Sequence, residues 1–317
     1  MGHKTSIIGL GVMGQRMLGT MHRYAGFNVV LAWDPDPAVC EATAKRYPRV
    51  TIADSAEEAI KSDETSVVYI ACPPVAHDVH ARTAFEASKH VWCEKPLGVD
   101  IETSEKLVEY ATNSGQVNIV NFSLASAVAT GEIELMLEGG WFGDVVGLDL
   151  RIHFATWPRE WQMNAADWLS YREEGGMTRE VVSHWVYLSQ RLFGKVTLGE
   201  SFTRYPSEKL CESHLGASLD VEGIPLSIAC STGGVGPDLV EYTIWGSRAS
   251  ARIVDWNRLF TSRGHDWRAE REDVADPREA GYERQLTNAA SAFADLPHTM
   301  PTFADALEVQ RLIEGML

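Results

Sequence analysis

The stretch Thr5-Ser6-Ile7-Ile8-Gly9-Leu10-Gly11-Val12-Met13-Gly14 decides how the rest of this chain is read. A short apolar run feeds a G-x-G-x-x-G turn, and residues 15–23 have helix-forming character. About twenty residues later a second apolar run, Val29-Val30-Leu31-Ala32-Trp33, ends at Asp34. Each part has a physical job. Gly9 permits a tight turn off the strand, Gly11 lets the backbone approach a pyrophosphate, and Gly14 lets helix and strand pack closely. The pyrophosphate belongs at the helix N-terminus, at Val12 and Met13, where free N–H groups and the helix dipole favour negative charge.

Asp34 is placed to accept hydrogen bonds from the adenosine ribose hydroxyls, and its charge opposes a 2′-phosphate. Pro35, Asp36 and Pro37 follow, with no Arg or Lys among them. The expectation is therefore NAD rather than NADP. Arg16, on the first helix, is the cation that could serve NADP instead, and it reads equally well as a solvated helix charge.

The chain has 317 residues, more than the roughly 100 to 150 of a single dinucleotide-binding unit, so a second domain is expected. A net charge of −16 argues against nucleic acid and anionic membrane partners, both of which need a basic surface. The five cysteines are scattered, odd in number and without a C-x-x-C pair, as suits reduced thiols in a cytoplasmic protein. The first strand starts by about residue 5, which leaves no room for a signal peptide, and no apolar run approaches the roughly 18 residues of a membrane span.

Short apolar runs alternate with helical patterns as far as about residue 122, which predicts a parallel sheet covered on both faces. Beyond that point Val146, Leu148, Leu150, Ile152 and Phe154 alternate with Gly147, Asp149, Arg151 and His153, the period-two pattern of a strand with one polar face. Residues 215–221 and 224–229 flank Glu222-Gly223 as a hairpin, and residues 240–245 and 251–256 add strands around Gly246-Ser247. The expected domains are 1–122, a Rossmann domain, and 123–317, an α/β domain with a mostly antiparallel open sheet. Helices are expected at about 282–294 and 303–316, the last packing back on the Rossmann domain. The charged stretch 268–279 before them reads as a loop.

Two further motifs carry chemistry. Val91-Trp92-Cys93-Glu94-Lys95-Pro96 leaves a strand at the carboxyl edge of the sheet, where ligands of open α/β sheets bind. Pro96 stiffens the exit and aims Lys95, while Glu94 can pair with it or hold a nearby backbone group. Pro73 and His77, after the preceding strand, flank the same edge, and His77 could shape the nicotinamide site. The second motif, Gly175-Gly176 followed by residues 178–192, reads as a helix with Val181, Trp185, Leu188 and Leu192 as its apolar stripe. Glu180, His184 and Tyr187 share an adjacent face, where a carboxylate one turn from an imidazole can fix the ring and raise its basicity. The same pattern suits a satisfied core histidine. A metal would need a third ligand, with only Asp167 or His153 to suggest, so none is expected.

Trp157, Trp161 and Trp168, interleaved with Arg159, Gln162 and Arg172, suit a sugar or cyclitol, which offers an apolar C–H face and a rim of hydroxyls. They also suit ordinary packing. Arg159, Arg172 and Arg179 could grip a carboxylate if the substrate is an acid.

Taken together, Gly9 to Gly14, Pro73-Pro74 with His77, Glu94-Lys95-Pro96 and Gly175-Gly176 with Glu180 and His184 resemble the Gfo/Idh/MocA oxidoreductases. The resemblance implies NAD(P)-dependent oxidation or reduction of sugars, cyclitols or related hydroxy compounds, and a homodimer or homotetramer formed through the C-terminal sheet. It implies that Lys95 holds the reacting oxygen, that His184 is the general acid/base, and that Glu180 orients substrate or His184. Cofactor contacts are then expected at Gly9, Gly11, Val12, Met13, Gly14, Asp34, Pro73, His77, Glu94 and Lys95, and substrate contacts at Lys95, Trp161, Trp168, Arg172, Glu180 and His184. The chain departs from the family pattern in carrying Glu180 where Asp is usual, Tyr187 where a further acid is common, and a shortened glycine run. A glycosidase using tightly held NAD, and a cofactor-sensing regulator without catalysis, are the alternative functions on this fold.

Overall fold

The structure, a computed structural model, describes residues 2–317. It divides into two compact units: one runs through Phe122 and includes Glu283–Gln310, and the other comprises Ser123–Tyr282 with Arg311–Leu317.

The first unit alternates strands and helices: β1 (His3–Ile8), α1 (Val12–Arg23), β2 (Phe27–Trp33), α2 (Pro37–Arg46), β3 (Thr51–Ile52), α3 (Ala56–Lys61), β4 (Val67–Ile70), α4 (His77–Glu86), β5 (His90–Cys93), α5 (Ile101–Ser114) and β6 (Asn118–Val120). The strands form one parallel sheet in the order β3-β2-β1-β4-β5-β6. The strand order reverses between β1 and β4, and ligands of such sheets bind at that switch point. Ile7, Ile8, Val67 to Ile70, Val91 to Cys93, Ile119 and Val120 are fully buried. These continuous apolar runs are what a sheet covered on both faces requires.

The second unit continues with α6 (Val128–Glu138), β7 (Val145–Phe154), α7 (Ala166–Leu169), α8 (Ser183–Phe193), β8 (Val196–Arg204), β9 (His214–Val221), β10 (Ile224–Thr232), β11 (Leu239–Gly246), β12 (Ser250–Val254), β13 (Arg258–Ser262) and β14 (Arg268–Ala269). Its eight strands lie in the order β14-β13-β12-β11-β7-β10-β9-β8, antiparallel except for β7 with β10. In β7 the buried residues are Leu148, Leu150, Ile152 and Phe154, so the alternation marks the inner face. The β9–β10 hairpin turns on Glu222 (φ 51°) and Gly223 (φ 87°), the two positive-φ positions of a type I′ turn.

The chain closes with α9 (Pro277–Phe293) and α10 (Phe303–Met316). α9 begins five residues before the expected start, because Asp276 caps it by accepting from the backbone N–H groups of Arg278 (3.0 Å) and Glu279 (3.1 Å). The stretch expected to be a loop thus ends as helix. At its start it pairs with β13 as β14, and Arg271 within it bonds Glu132 and Asp273. The helix expected over 178–192 also differs: its first turn, Thr178–Val182, is a π-turn, and the α-helical pitch begins at Ser183.

Candidate functional site

The glycine-rich turn of the first unit explains its own sequence. Gly9 has φ 93°, and a β-carbon there would lie 2.7 Å from the Ala71 carbonyl and the Cys72 nitrogen. A β-carbon on Gly14 would run into the Gly9 carbonyl, so the first turn of α1 packs directly on the end of β1. At Gly11 a β-carbon would meet no protein atom within 4 Å, and the residue is exposed. The turn is therefore filled at Gly9 and Gly14 and open at Gly11, beside the N-terminus of α1, which carries no side-chain cap and no acid in its first turn. These residues fit a dinucleotide pyrophosphate.

Asp34 follows β2 and holds the turn together. One carboxylate oxygen accepts from the Leu10 N–H at 2.7 Å and the other from the Asp36 N–H at 2.9 Å. The Arg16 guanidinium sits 3.4 Å from the Met13 sulfur.

After β4 the chain turns through Cys72, the exposed Pro73 and the buried Pro74 into α4. His77 heads that helix, fully buried, with Nδ1 2.9 Å from the Pro96 carbonyl and Nε2 2.9 Å from the Cys72 carbonyl. Burial pushes its imidazole down to about 4, against the pull of those carbonyls, and the neutral ring, with a single N–H, donates to one of the two. His77 therefore shapes this edge from within, packed between the loop after β4 and the loop after β5, rather than through an exposed ring.

Lys95 follows β5, half-buried, and the Lys95–Pro96 peptide is cis. Its neighbour Glu94 is turned into the core. The Glu94 carboxylate accepts from the Tyr69 hydroxyl and from Asn121 Nδ2 at 2.6 Å, and Asn121 in turn accepts from Gln285 Nε2 at 2.6 Å. The expected cofactor role of Glu94 becomes, at these contacts, an internal anchor that runs from the Lys95 loop through β4 and β6 to α9. These bonds join the elements to one another through the core.

In the second unit, Val181, Trp185 and Leu188 are fully buried, and Trp185 stacks on Tyr242 of β11 with ring centres 5.5 Å apart. Leu192, expected on the same stripe, is only half-buried, one residue from the C-terminal end of α8. His184 is 6% exposed and meets the edge of Trp256 at 5.3 Å. Trp256 lies in the turn after β12 with φ 72°, not on the strand as its sequence suggests. Glu180 is half-buried and accepts from Gln162 Nε2 at 3.1 Å, while Gln162 accepts from Arg159 Nε at 2.8 Å. Arg159 lies 4.7 Å from the rings of both Phe154 and Trp161. The structure thus brings Arg159, Gln162, Glu180 and Trp161 together. Trp168 is half-buried, and Trp157 donates to the Leu169 carbonyl at 3.3 Å as a packing residue.

The other two arginines go elsewhere. Arg179 is buried and bidentate to Glu314, with 2.7 Å for each bond, and its Nη1 donates to the Arg172 and Gly175 carbonyls. Its donors serve the fold, so the expectation that it grips a substrate carboxylate is corrected. Arg172 stacks 4.0 Å over Tyr205, beside the same cluster.

Sequence reasoning missed Glu212. This residue, 2% exposed, accepts through Oε1 from both the backbone N–H and the hydroxyl of Thr178, each at 2.6 Å. Burial raises its carboxyl above the usual carboxylate range, opposed by the Thr178 bonds. Among the described residues no three of His, Cys, Asp and Glu gather as a metal site, and no helix is long and apolar enough to cross a membrane.

The first unit is a dinucleotide-binding Rossmann domain. Residues 3–122 match the model of the Gfo/Idh/MocA oxidoreductase family, with an NAD-binding Rossmann fold, the family that the sequence motifs resemble. The chain is 29% identical over 142 residues, 45% of its length, to a 1-carboxy-3-chloro-3,4-dihydroxycyclohexa-1,5-diene dehydrogenase of Comamonas testosteroni, and covers 36% of that protein. It is 28% identical over 147 residues to an inositol 2-dehydrogenase of Corynebacterium glutamicum, covering 46% of this chain and 44% of that protein. The matches thus span less than half the length of these curated relatives. An Agrobacterium radiobacter oxidoreductase crystallised with NAD+, L-tartaric acid and magnesium superposes with a TM-score of 0.84 at 15% identity, over 99% of this chain and 95% of that one. That likeness extends the shared fold to the second unit.

Proposed function

We propose that this protein is an NAD-dependent dehydrogenase or reductase acting on a secondary alcohol or carbonyl of a sugar, cyclitol or related polyol, with Lys95 and His184 at the reacting oxygen. The observation that carries this reading is the family's NAD-binding domain with Lys95 at the carboxyl end of β5, next to the switch point of the sheet. Bound NAD supplies the hydride acceptor, and NADH the donor. The Lys95 ammonium stabilises negative charge as it develops on the oxygen. In oxidation His184 accepts the hydroxyl proton, and in reduction it returns one. Glu180, held by Gln162, orients the imidazole or a substrate hydroxyl. Trp161, Trp168 and Arg172 are the further substrate contacts proposed, and Pro73 borders the nicotinamide. NAD is preferred to NADP because the Asp34 carboxylate repels a 2′-phosphate. Assembly as a homodimer or homotetramer uses the outer face of the eight-stranded sheet, where Phe202 and Trp245 are exposed.

The test is NADH formation from a panel of sugars, cyclitols, sugar acids and glycosides, with NAD and NADP in parallel, on wild type and Lys95→Ala. Turnover of one polyol class is expected, with Lys95→Ala slower by on the order of 100-fold or more at unchanged NAD affinity. Unimpaired turnover by the variant overturns the role given to Lys95. Glycoside cleavage without net NADH assigns the chain to a glycosidase instead.

A further inference from the structure

The helix that carries Glu180 and His184 begins without a cap of its own. Neither the π-turn Thr178–Val182 nor α8 has a side-chain hydrogen bond from the residue that precedes it. The first amides of a helix need acceptors from outside the helix. Here the acceptor comes from the loop between β8 and β9. Glu212 Oε1 takes both the Thr178 N–H and the Thr178 hydroxyl at 2.6 Å, two residues before Glu180 and six before His184.

The glycine pair ahead of the helix is shaped around that carboxylate. Gly176 has φ 107°, and a β-carbon on it would collide with the Glu212 carboxylate. A β-carbon on Gly175 would collide with the Leu169 backbone. The Gly176 carbonyl then accepts the Glu180 N–H at 3.1 Å, so the residue that makes room for Glu212 also starts the turn bearing Glu180. On the other side of the cluster Arg179 is fixed to Glu314 and to the Gly175 carbonyl. A buried carboxylate is costly unless its bonds are well made, and retaining one here implies that the seat is exact.

We infer that Glu212 is the positioning residue of the site, its carboxylate fixing the first turn of the helix and thereby the placement of Glu180 and His184. This role rests on the reading of those two residues given above. It also supplies a physical reason for Gly175-Gly176: the pair is small because Glu212 and Leu169 occupy the space that side chains would take.

The experiment compares full-length wild type, Glu212→Ala, Glu212→Gln and Thr178→Val. Amide hydrogen exchange over residues 178–188 is measured first, with NAD affinity alongside, and then kcat on the polyol found in the panel. Glu212→Ala is expected to exchange faster in that segment and to lose on the order of 100-fold in kcat, with NAD affinity unchanged. Glu212→Gln keeps an oxygen that can accept both Thr178 bonds, so it is expected to restore slow exchange and kcat to within about threefold of wild type. Wild-type exchange in Glu212→Ala overturns the inference, as does fast exchange with wild-type kcat. If Glu212→Ala does not fold, Thr178→Val, which loses the hydroxyl bond alone, is expected to loosen the same segment to a smaller degree, and unchanged exchange there overturns the inference equally. A chain with no dehydrogenase activity at all refutes the proposed function, while the exchange comparison still reads the seat of the helix.

Discussion

His77 is packed between the loops after β4 and β5, and its burial makes the stability of the fold sensitive to pH. In the folded protein its imidazole is pushed down from the ordinary 6.5 to about 4, chiefly by desolvation. Between those two values the unfolded chain binds a proton that the folded chain does not. The stability held by the neutral ring is therefore complete above about pH 6.5, falls as pH drops through the window and levels off below about pH 4. At about pH 5 the fall spans roughly one and a half pH units at about 1.4 kcal/mol each, or about 2 kcal/mol. His77→Gln removes the titration and leaves only a constant cost for imperfect fit to the two carbonyls. The assay is equilibrium urea unfolding of both proteins at about pH 7.5 and about pH 5. Wild type should lose about 2 kcal/mol more than the variant between the two conditions. The lowered values of His80 and His90 are common to both proteins and cancel. Equal losses would refute the reasoning, since a ring that stays neutral by burial must show this difference.

Two more outcomes follow from the glycine-rich turn. Gly9→Ala places a β-carbon at φ 93° and 2.7 Å from the Ala71 carbonyl, so about 1–3 kcal/mol of strain should appear as a lower melting temperature and at least tenfold weaker NAD binding by calorimetry. Wild-type affinity would contradict the close approach. Asp34→Ala removes the acceptor of the Leu10 and Asp36 amides together with the charge that opposes a 2′-phosphate. It should weaken NAD binding and raise the NADP-to-NAD preference by about tenfold, and an unchanged preference would move cofactor selection to another residue.

The parallel sheet was legible because strands buried on both faces are written as unbroken apolar runs, and Val67 to Ile70 and Val91 to Cys93 are such runs. β7 was legible for the opposite reason, its strict alternation. What the sequence concealed lies where local signals are weak. α6 starts after Ala127 with no side-chain cap and carries Gly131 inside it, so nothing announces it. β8 is exposed along most of its length and lacks the alternation of its neighbours. The π-turn at Thr178–Val182 cannot be read from a 3.6-residue period. At the site, Gly175-Gly176 signalled a close approach, yet the partner is Glu212, 36 residues after Gly176 in an unremarkable loop. The inward turn of Glu94 has the same origin, since Tyr69, Asn121 and Gln285 are joined to it by folding alone.

The two units are interleaved along the chain: the backbone passes from one to the other after Phe122, within α9 and again within α10. The segment that returns to the first unit supplies Gln285 to the Glu94 network and the Pro301 carbonyl to the amide of Val120 on β6. A gene fragment ending at residue 122 would therefore encode a Rossmann sheet whose last strand lacks a native hydrogen-bond partner and whose Lys95 loop lacks its final anchor. Modular exchange in such a chain cannot proceed by a single crossover. A recombinant that borrows the N-terminal half from a relative must import the matching stretch of α9 and α10 as well, which ties the evolution of the first unit to residues near the other end of the gene.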